Sequence, residues 1–197
     1  MELVRIITDA DTGAGLYAVR FPGEDADELT RLFRLWTSDI QFLFDFFTEH
    51  KARLTRGYYN GVSVQEAVMA TRHEADELHR KLLRIARGGL ESRGEELESL
   101  FLALDDCQFR RLPLQESKLR GRVKKKWLRL YAIRFDVHCY VITGGAIKLT
   151  RSMDEAVHLQ HELDKLAEVK RFLIRNDLGS QFDLVYLESN NGGQGNE

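Results

Sequence analysis

The residues of this 197-residue chain that are best suited to chemistry are the cations between positions 110 and 134. This window contains ten lysines and arginines and a single acid, Glu116, so it carries a charge of +9. Because the whole chain has a net charge of −2, the remainder carries −11. A basic segment on an otherwise acidic chain predicts a polyanion or an acidic protein as its binding partner.

Side-chain alternation in a strand predicted over 127–135 places some of these cations on a single face. Trp127, Arg129 and Tyr131 share that face, because side chains two residues apart in a strand point the same way. The opposite face carries Leu128, Leu130, Ala132 and Arg134. The side chains of Trp127, Arg129 and Tyr131 suit phosphate contact and base stacking, and the cations of 118–126 favour that interpretation. The pattern also fits an exposed face whose arginines pair with carboxylates of a helix.

Two consecutive glycines, Gly144 and Gly145, precede a short strand predicted over 146–150. Glycines allow a neighbouring chain or a ligand to approach the backbone closely. The phosphate-loop patterns GxxxxGK[ST] and GxGxxG are both absent. Lys148 and Arg151 would join the cations of the preceding strand if they share its face, and a bulged strand with ordinary surface lysines is the alternative.

Histidine and cysteine give weaker signals. His158 and His161 share a helical face, but no third metal ligand follows by spacing, so neither a metal site nor another cofactor is expected. Two cysteines, Cys107 and Cys139, are too few for a disulfide framework, which favours a reducing cytoplasm. No apolar run approaches the roughly 18 residues that a membrane-spanning helix needs, so no membrane contact is expected.

The hydrophobic pattern predicts which elements position these residues. The predicted strands are 3–8, 16–21, 127–135, 138–143 and 146–150, with a further edge strand over 182–187. The predicted helices are 24–36, 38–47, 63–88, 94–104 and 152–176. The longest helix begins at a capping box, Ser63 with Glu66, and a second capping box lies at 152–155. The segment 115–126 has no hydrophobic period and predicts a solvated loop.

These elements predict an α+β fold. A helical N-terminal half with a short β-hairpin would be followed by a small antiparallel sheet and a long C-terminal helix. The corresponding units are a hairpin and helical subdomain over 1–96, an α+β subdomain over 97–189 and a disordered tail over 190–197. No proline- or serine-rich linker separates the first two, so we expect them to pack as one unit.

Three stretches of the C-terminal half follow a pattern of alternation and basic positions: Lys118-Leu-Arg-Gly, Trp127 to Arg134, and Tyr140 to Lys148, with a long helix after them. Over about residues 97–176 this pattern resembles the RelE/ParE superfamily of toxins from bacterial type II toxin–antitoxin systems, nearest the HigB-like branch. The resemblance implies a metal-independent mRNA endoribonuclease that acts on the ribosome. It also implies a partner antitoxin that covers the basic face.

The resemblance further implies roles for individual residues. The cations assigned to catalysis, where they would stabilise a phosphorane-like transition state, are Lys118, Arg120, Arg129, Lys148 and Arg151. Tyr131 would stack on a base or handle a proton. The residues assigned to nucleic-acid contact are Arg122, Lys124, Lys125, Lys126, Trp127 and Arg134. Two alternatives stay open: a non-catalytic toxin that binds a protein such as DNA gyrase, and a regulatory nucleic-acid-binding module.

Overall fold

We describe the protein from a computed structural model, which describes residues 1–55, 61–91, 95–104, 114–120, 126–149 and 157–185. The strands in these ranges are β1 (Glu2–Thr8), β2 (Gly15–Arg20), β3 (Phe101–Ala103), β4 (Gln115–Arg120), β5 (Leu128–Asp136) and β6 (Cys139–Ile147). The α-helices are α1 (Glu28–Thr37), α2 (Ile40–Glu49), α3 (Lys51–Thr55), α4 (Val64–Leu90) and α5 (Val157–Arg175). Short 3₁₀ helices occupy Leu97–Ser99 and Gln181–Leu184.

All six strands belong to one mixed sheet, in the order β1-β2-β6-β5-β4-β3. The N-terminal strands β1 and β2 pair antiparallel, as the sequence predicts. β2 also pairs in parallel with β6, and Leu16 lies opposite Tyr140. From β6 outward through β5, β4 and β3, every pairing is antiparallel.

The predicted fold class is therefore wrong. The sheet is neither small nor confined to the C-terminal half, because the N-terminal hairpin pairs with β6 and the long helix α4 lies in the middle of the chain. The physical reason is the burial of β2, in which Gly15 to Val19 are all buried. A strand that is buried on both faces belongs inside a sheet with helices on either side.

Helices cover both faces of this sheet. On one face α1, α2 and α4 contribute Trp36, Phe47 and Leu82 to a core that includes Leu128 and Leu130 of β5. On the other face α5 contributes a second set of apolar residues, Leu159, Leu166, Val169 and Leu173, which pack with Tyr131, Ile133 and Val141. Since alternate residues of β5 enter the two cores, the strand has no open face along most of its length.

Three further local predictions are corrected by the structure. Residues 115–120 form β4 instead of a loop, and only 121–125 of the predicted loop lie outside the described residues. The buried side chains of β4 are Gln115, Ser117 and Leu119. Because two of them are polar, the sequence does not show the alternation of apolar and polar residues that is typical of a strand. Within the described residues, the predicted helix over 94–104 is replaced by the 3₁₀ helix Leu97–Ser99 followed by β3, and the predicted edge strand over 182–187 overlaps the 3₁₀ helix Gln181–Leu184.

The paired glycines lie inside β6, not between two strands. A Cβ on Gly144 would overlap the Glu162 carboxylate of α5, and a Cβ on Gly145 would come within 2.8 Å of the Trp36 ring of α1. Gly145 also donates its N–H to Glu162 Oε2 at 2.8 Å. The two glycines therefore let a carboxylate on one face and an indole on the other approach the strand.

Replacing Gly144 with alanine is expected to lower the free energy of unfolding by about 1–3 kcal/mol, because the new methyl group displaces a buried carboxylate. Urea denaturation monitored by circular dichroism measures the change. Gly179→Ala is the matched control, since nothing lies within 4 Å of its Cβ position. Equal midpoints for the two variants would show that the close approach of Glu162 is unimportant.

Candidate nucleic-acid interface

Strand register brings several of the predicted catalytic residues to one end of the sheet. Arg120 of β4 lies directly opposite Arg129 of β5, and Lys118 lies directly opposite Tyr131. Directly opposite residues of neighbouring strands share a face. Tyr131 belongs to the core beneath α5, so this is the α5 face of the sheet.

Lys148 joins the same end of the sheet from β6. Arg129 lies opposite Ala146, which is part of the α5 core. Two residues on, the Lys148 N–H donates to the carbonyl oxygen of Trp127 at 2.8 Å. Its neighbours Ile147 and Leu149 enter the opposite core, which leaves Lys148 on the α5 side. We call Lys118, Arg120, Arg129 and Lys148 the cationic sheet end.

The register puts Arg120 directly opposite Arg129 within the cationic sheet end. The Arg129 guanidinium turns towards the start of β5, where Nη1 donates to the carbonyl oxygens of Leu128 at 2.6 Å and Lys126 at 3.2 Å. Arginine is well suited to phosphate, because its guanidinium group can donate two parallel hydrogen bonds to the phosphate oxygens.

Lys118, within the cationic sheet end, and Lys126, just before β5, have different surroundings. Lys118 is half-buried, and its ammonium donates to the carbonyl oxygen of Leu104 at 3.3 Å. Lys126 instead pairs with a carboxylate of α4, because its Nζ lies 2.6 Å from Glu77 Oε2. Lys126 therefore matches the alternative interpretation, in which a cation of this segment pairs with a carboxylate of a helix. It is not part of the cationic sheet end.

Trp127 is a core residue. Its side chain is 4% exposed, its ring centroid lies 5.5 Å from that of Phe47, and its Nε1–H donates to Thr71 Oγ1 at 2.8 Å. The predicted shared face with Arg129 is wrong because β5 begins only at Leu128, so strand alternation does not extend to Trp127. In this position the indole offers no surface for a base.

A carboxylate that the sequence analysis missed fixes this junction. Glu74 of α4 is 6% exposed and accepts the N–H groups of Trp127 and Leu128, each at 3.2 Å. Burial raises the pKa of Glu74, although these hydrogen bonds and the charges of Lys126 and Arg129 oppose that rise. Glu74 therefore anchors the start of β5 to α4.

Tyr131 and Arg134 are also buried. Tyr131 is 1% exposed beneath α5, and burial raises the pKa of its phenol to about 12. Arg134 is 6% exposed, and its Nη2 lies 3.6 Å from Glu98 Oε1. The Arg134 Nε has no hydrogen-bond partner within the described structure. The remaining predicted site residues, Arg122, Lys124, Lys125 and Arg151, lie outside the described residues, and of Arg120 the structure describes only the backbone.

A buried ionic cluster lies beside Gly145, in the part of β6 that does not pair with β2. Lys165 of α5 lies 2.9 Å from Glu28 Oε2 of α1 and 3.2 Å from Glu162 Oε1, and Arg31 donates to Glu28 at 2.6 and 2.9 Å. Burial raises the pKa of Glu162. Burial acts the same way on Glu28, but the hydrogen bonds from Arg31 and the charge of Lys165 outweigh it, so its pKa is lowered.

His138 has a structural role at the turn between β5 and β6. Its Nε2 lies 2.9 Å from the carbonyl oxygen of Ala86, and its Nδ1 accepts the N–H of Leu97 at 3.2 Å. A Cβ on Gly89 would overlap the imidazole ring. The missing Cβ of Gly89 lets the imidazole pack against α4, which continues through Gly88 and Gly89 to Leu90, whereas the sequence predicts a stop at the glycines.

Comparison with known proteins gives no relative from which to infer a role: no family model, curated protein or solved structure matches the chain. Within the described ranges, no three histidine, cysteine or acidic side chains come together as metal ligands would. Each helix in those ranges is too short or too polar to span a bilayer.

Proposed function

We propose that the protein binds RNA at the cationic sheet end and acts in the cytoplasm as the toxin of a bacterial toxin–antitoxin pair. In this role it is a metal-independent, ribosome-dependent mRNA endoribonuclease, and a cognate antitoxin neutralises it. The observation that carries the proposal is the register that places Arg120 directly opposite Arg129, with Lys118 and Lys148 beside them. Guanidinium groups donate two parallel hydrogen bonds to phosphate oxygens, which suits this end of the sheet to a phosphate backbone.

The cations suit RNA cleavage because that reaction can use the RNA's own 2′-hydroxyl as nucleophile. The 2′ oxygen bonds to the adjacent phosphorus, the bond from phosphorus to the 5′ oxygen breaks, and solvent takes up one proton and returns another to the leaving oxygen. Guanidinium groups stabilise the extra negative charge of the transition state. With a pKa of about 12 and 1% exposure, Tyr131 is not the base in this conformation.

The burial of Tyr131 also favours a second candidate function. Without that phenol, the described part of the cationic sheet end consists of lysine and arginine only, which bind phosphate but accept no proton at neutral pH. A non-catalytic toxin that blocks a target such as DNA gyrase, or a regulatory RNA-binding module, needs nothing more. Only the nuclease cleaves transcripts, and growth arrest separates the non-catalytic toxin from the regulatory module.

Inducible expression in bacteria is expected to arrest growth, and the double variant Arg129→Ala/Lys148→Ala is expected to restore it. Loss of a transition-state contact of this type lowers a cleavage rate about 10²–10³-fold. Colony counts measure the arrest, and RNA sequencing measures transcript cleavage. The matched control is Arg171→Ala/Arg175→Ala, which removes two exposed cations from the C-terminal end of α5.

The outcomes separate the candidates. Arrest with fragmented transcripts supports the nuclease, and arrest with intact transcripts and an induced DNA-damage response supports a toxin that acts on gyrase. Harmless expression at high protein levels contradicts both toxin functions and leaves the regulatory module.

A further inference from the structure

The C-terminal half of α4 presents three exposed arginines in one row. Arg80, Arg84 and Arg87 are spaced by four and three residues, which places them on the same side of the helix. They border a shallow groove of about 400 Å³. The groove is completed by Leu83, Gly88 and Glu91.

Two of these guanidinium groups have no counterion among the described residues. Arg84 and Arg87 form no hydrogen bond or ion pair with any residue of the described ranges. Arg80 donates through Nε to the backbone carbonyl oxygen of Asp76 at 3.2 Å, and its charge contributes to lowering the pKa of Glu77 one turn earlier. Like charges at this spacing on a helix repel one another, so a bound polyanion would stabilise the row.

Contacts connect the row to the cationic sheet end. Arg129 Nη1 donates to the carbonyl oxygen of Lys126, and the Lys126 ammonium pairs with Glu77 of α4. Glu77 lies one turn before Arg80 on the same side of the helix. From Glu77 to Arg87 the helix rises about 15 Å, a length that about five nucleotides of a stacked strand cover at ~3.4 Å each.

We infer that Arg80, Arg84 and Arg87 form a second contact surface for the phosphate backbone of a single RNA strand. The strand is held first at the cationic sheet end on the α5 face, passes around the start of β5 beside Lys126, and continues along α4 on the other face of the sheet. This inference rests on the RNA binding proposed above. Guanidinium groups match phosphate with two parallel hydrogen bonds, which suits a row of this kind.

An acidic protein is a poorer fit to the same row. Protein interfaces depend on buried aromatic and apolar anchors surrounded by polar residues. Among the described residues, the one exposed large hydrophobic side chain on α4 is Met69, three turns before Arg80. The groove itself offers only the half-buried Leu83 as an apolar contact.

The test compares RNA oligonucleotides of two lengths by fluorescence anisotropy across a range of salt concentrations. An oligouridine tetramer covers only the cationic sheet end, and an oligouridine dodecamer reaches along α4 as well. The test variant is Arg84→Gln/Arg87→Gln, and the control with the same charge change is Arg171→Gln/Arg175→Gln on the opposite side of the sheet. All four substituted side chains are exposed, so the fold is expected to be unaffected.

The inference predicts that wild-type protein binds the dodecamer more tightly than the tetramer, and that Arg84→Gln/Arg87→Gln abolishes most of that gain. The slope of log K against log salt for the dodecamer should fall by about 1.4, which is 0.7 for each lost phosphate contact. Tetramer binding and the control variant should be unchanged.

Three results would overturn the inference: an unchanged dodecamer slope in the test variant, a tetramer that binds as tightly as the dodecamer, or an effect of the variant on binding of a polyglutamate peptide but not of RNA. The last result assigns the row to an acidic protein. Tetramer binding reports separately on the proposed function. If the dodecamer binds through Arg84 and Arg87 while the tetramer does not bind, RNA binding along α4 is supported and RNA binding at the cationic sheet end is contradicted.

Discussion

Replacing Lys165 with methionine is expected to lower the free energy of unfolding by about 3–5 kcal/mol, the cost of leaving buried charges without their partner. The Lys165 side chain is 15% exposed and lies between Glu28 and Glu162, whose side chains are 3% and 9% exposed. Methionine keeps most of the apolar stem but removes the charge. Urea denaturation at pH 7 measures the loss.

The same variant should show a changed dependence of stability on pH. In the wild type, the lowered pKa of Glu28 contributes stability above its ordinary value of 4.5, which is lost as pH falls through the folded pKa. The raised pKa of Glu162 has the opposite sign: it favours folding at low pH, and that contribution is lost as pH rises from 4.5 through the folded pKa. Without Lys165 both carboxyl groups lose a cation that lowers their pKa, so the pKa of each should rise and the deficit should shrink towards pH 4.

A surface lysine on the same helix provides the matched control. Lys170 pairs with Glu116 of β4 at 3.3 Å, but the two side chains are 37% and 35% exposed. Lys170→Met should therefore cost no more than about 1 kcal/mol. If Lys165→Met costs as little as Lys170→Met, or if its effect does not vary with pH, the ionic cluster does not stabilise the junction of α1, α5 and β6.

Replacing Trp127 with alanine should have an effect of similar size, about 3–5 kcal/mol, because it removes a large side chain from the core and leaves a cavity. The indole also loses its hydrogen bond to Thr71, and a cavity opens beside Phe47. Thermal or urea unfolding measures this change. A stable Trp127→Ala protein would contradict the buried position of the indole.

The milder variant Trp127→Phe separates packing from recognition. If Trp127 were a surface for base stacking, losing the indole would weaken RNA binding in a protein that is still folded. A core role predicts the reverse, namely reduced stability with unchanged affinity for an RNA tetramer. The RNA titration and the unfolding curve must therefore be measured on the same preparation.

Local signals in the sequence predicted local structure well. The capping box at the start of α4 is confirmed, since Ser63 Oγ accepts the Glu66 N–H at 3.2 Å and Glu66 accepts the Ser63 N–H at 2.8 Å. A strand close to the predicted 127–135 and the antiparallel hairpin of β1 and β2 are confirmed as well. These features depend on residues close together in the chain, which is why their pattern is visible in the sequence.

The errors arise where distant residues decide the structure. The parallel pairing of β2 with β6 joins Leu16 to Tyr140, and nothing in either segment specifies that partner. β4 was hidden because polar side chains occupy its inward positions, as Ser117 does. The assignment of Trp127 failed because Glu74, on a helix some fifty residues earlier, accepts its N–H and fixes the start of the strand.

The candidate site shows the same division. Spacing left open whether Lys148 shares a face with Arg129, and the register places both at the cationic sheet end. Spacing did not reveal that α5 would bury Tyr131, because the packing of that helix depends on Leu159, Leu166 and Val169. The spacing of basic residues therefore indicates where positive charge is concentrated, whereas which of these side chains are buried can be seen only in the tertiary structure.

The most direct test of the account is the salt dependence of RNA binding by Arg120→Gln/Arg129→Gln. Its titration with an RNA tetramer between 50 and 200 mM salt is compared with those of the wild type and of Arg171→Gln/Arg175→Gln. Phosphate binding between the opposed arginines predicts weaker binding and a slope of log K against log salt that falls by about 1.4. An affinity and slope equal to those of the wild type would show that the cationic sheet end does not hold RNA.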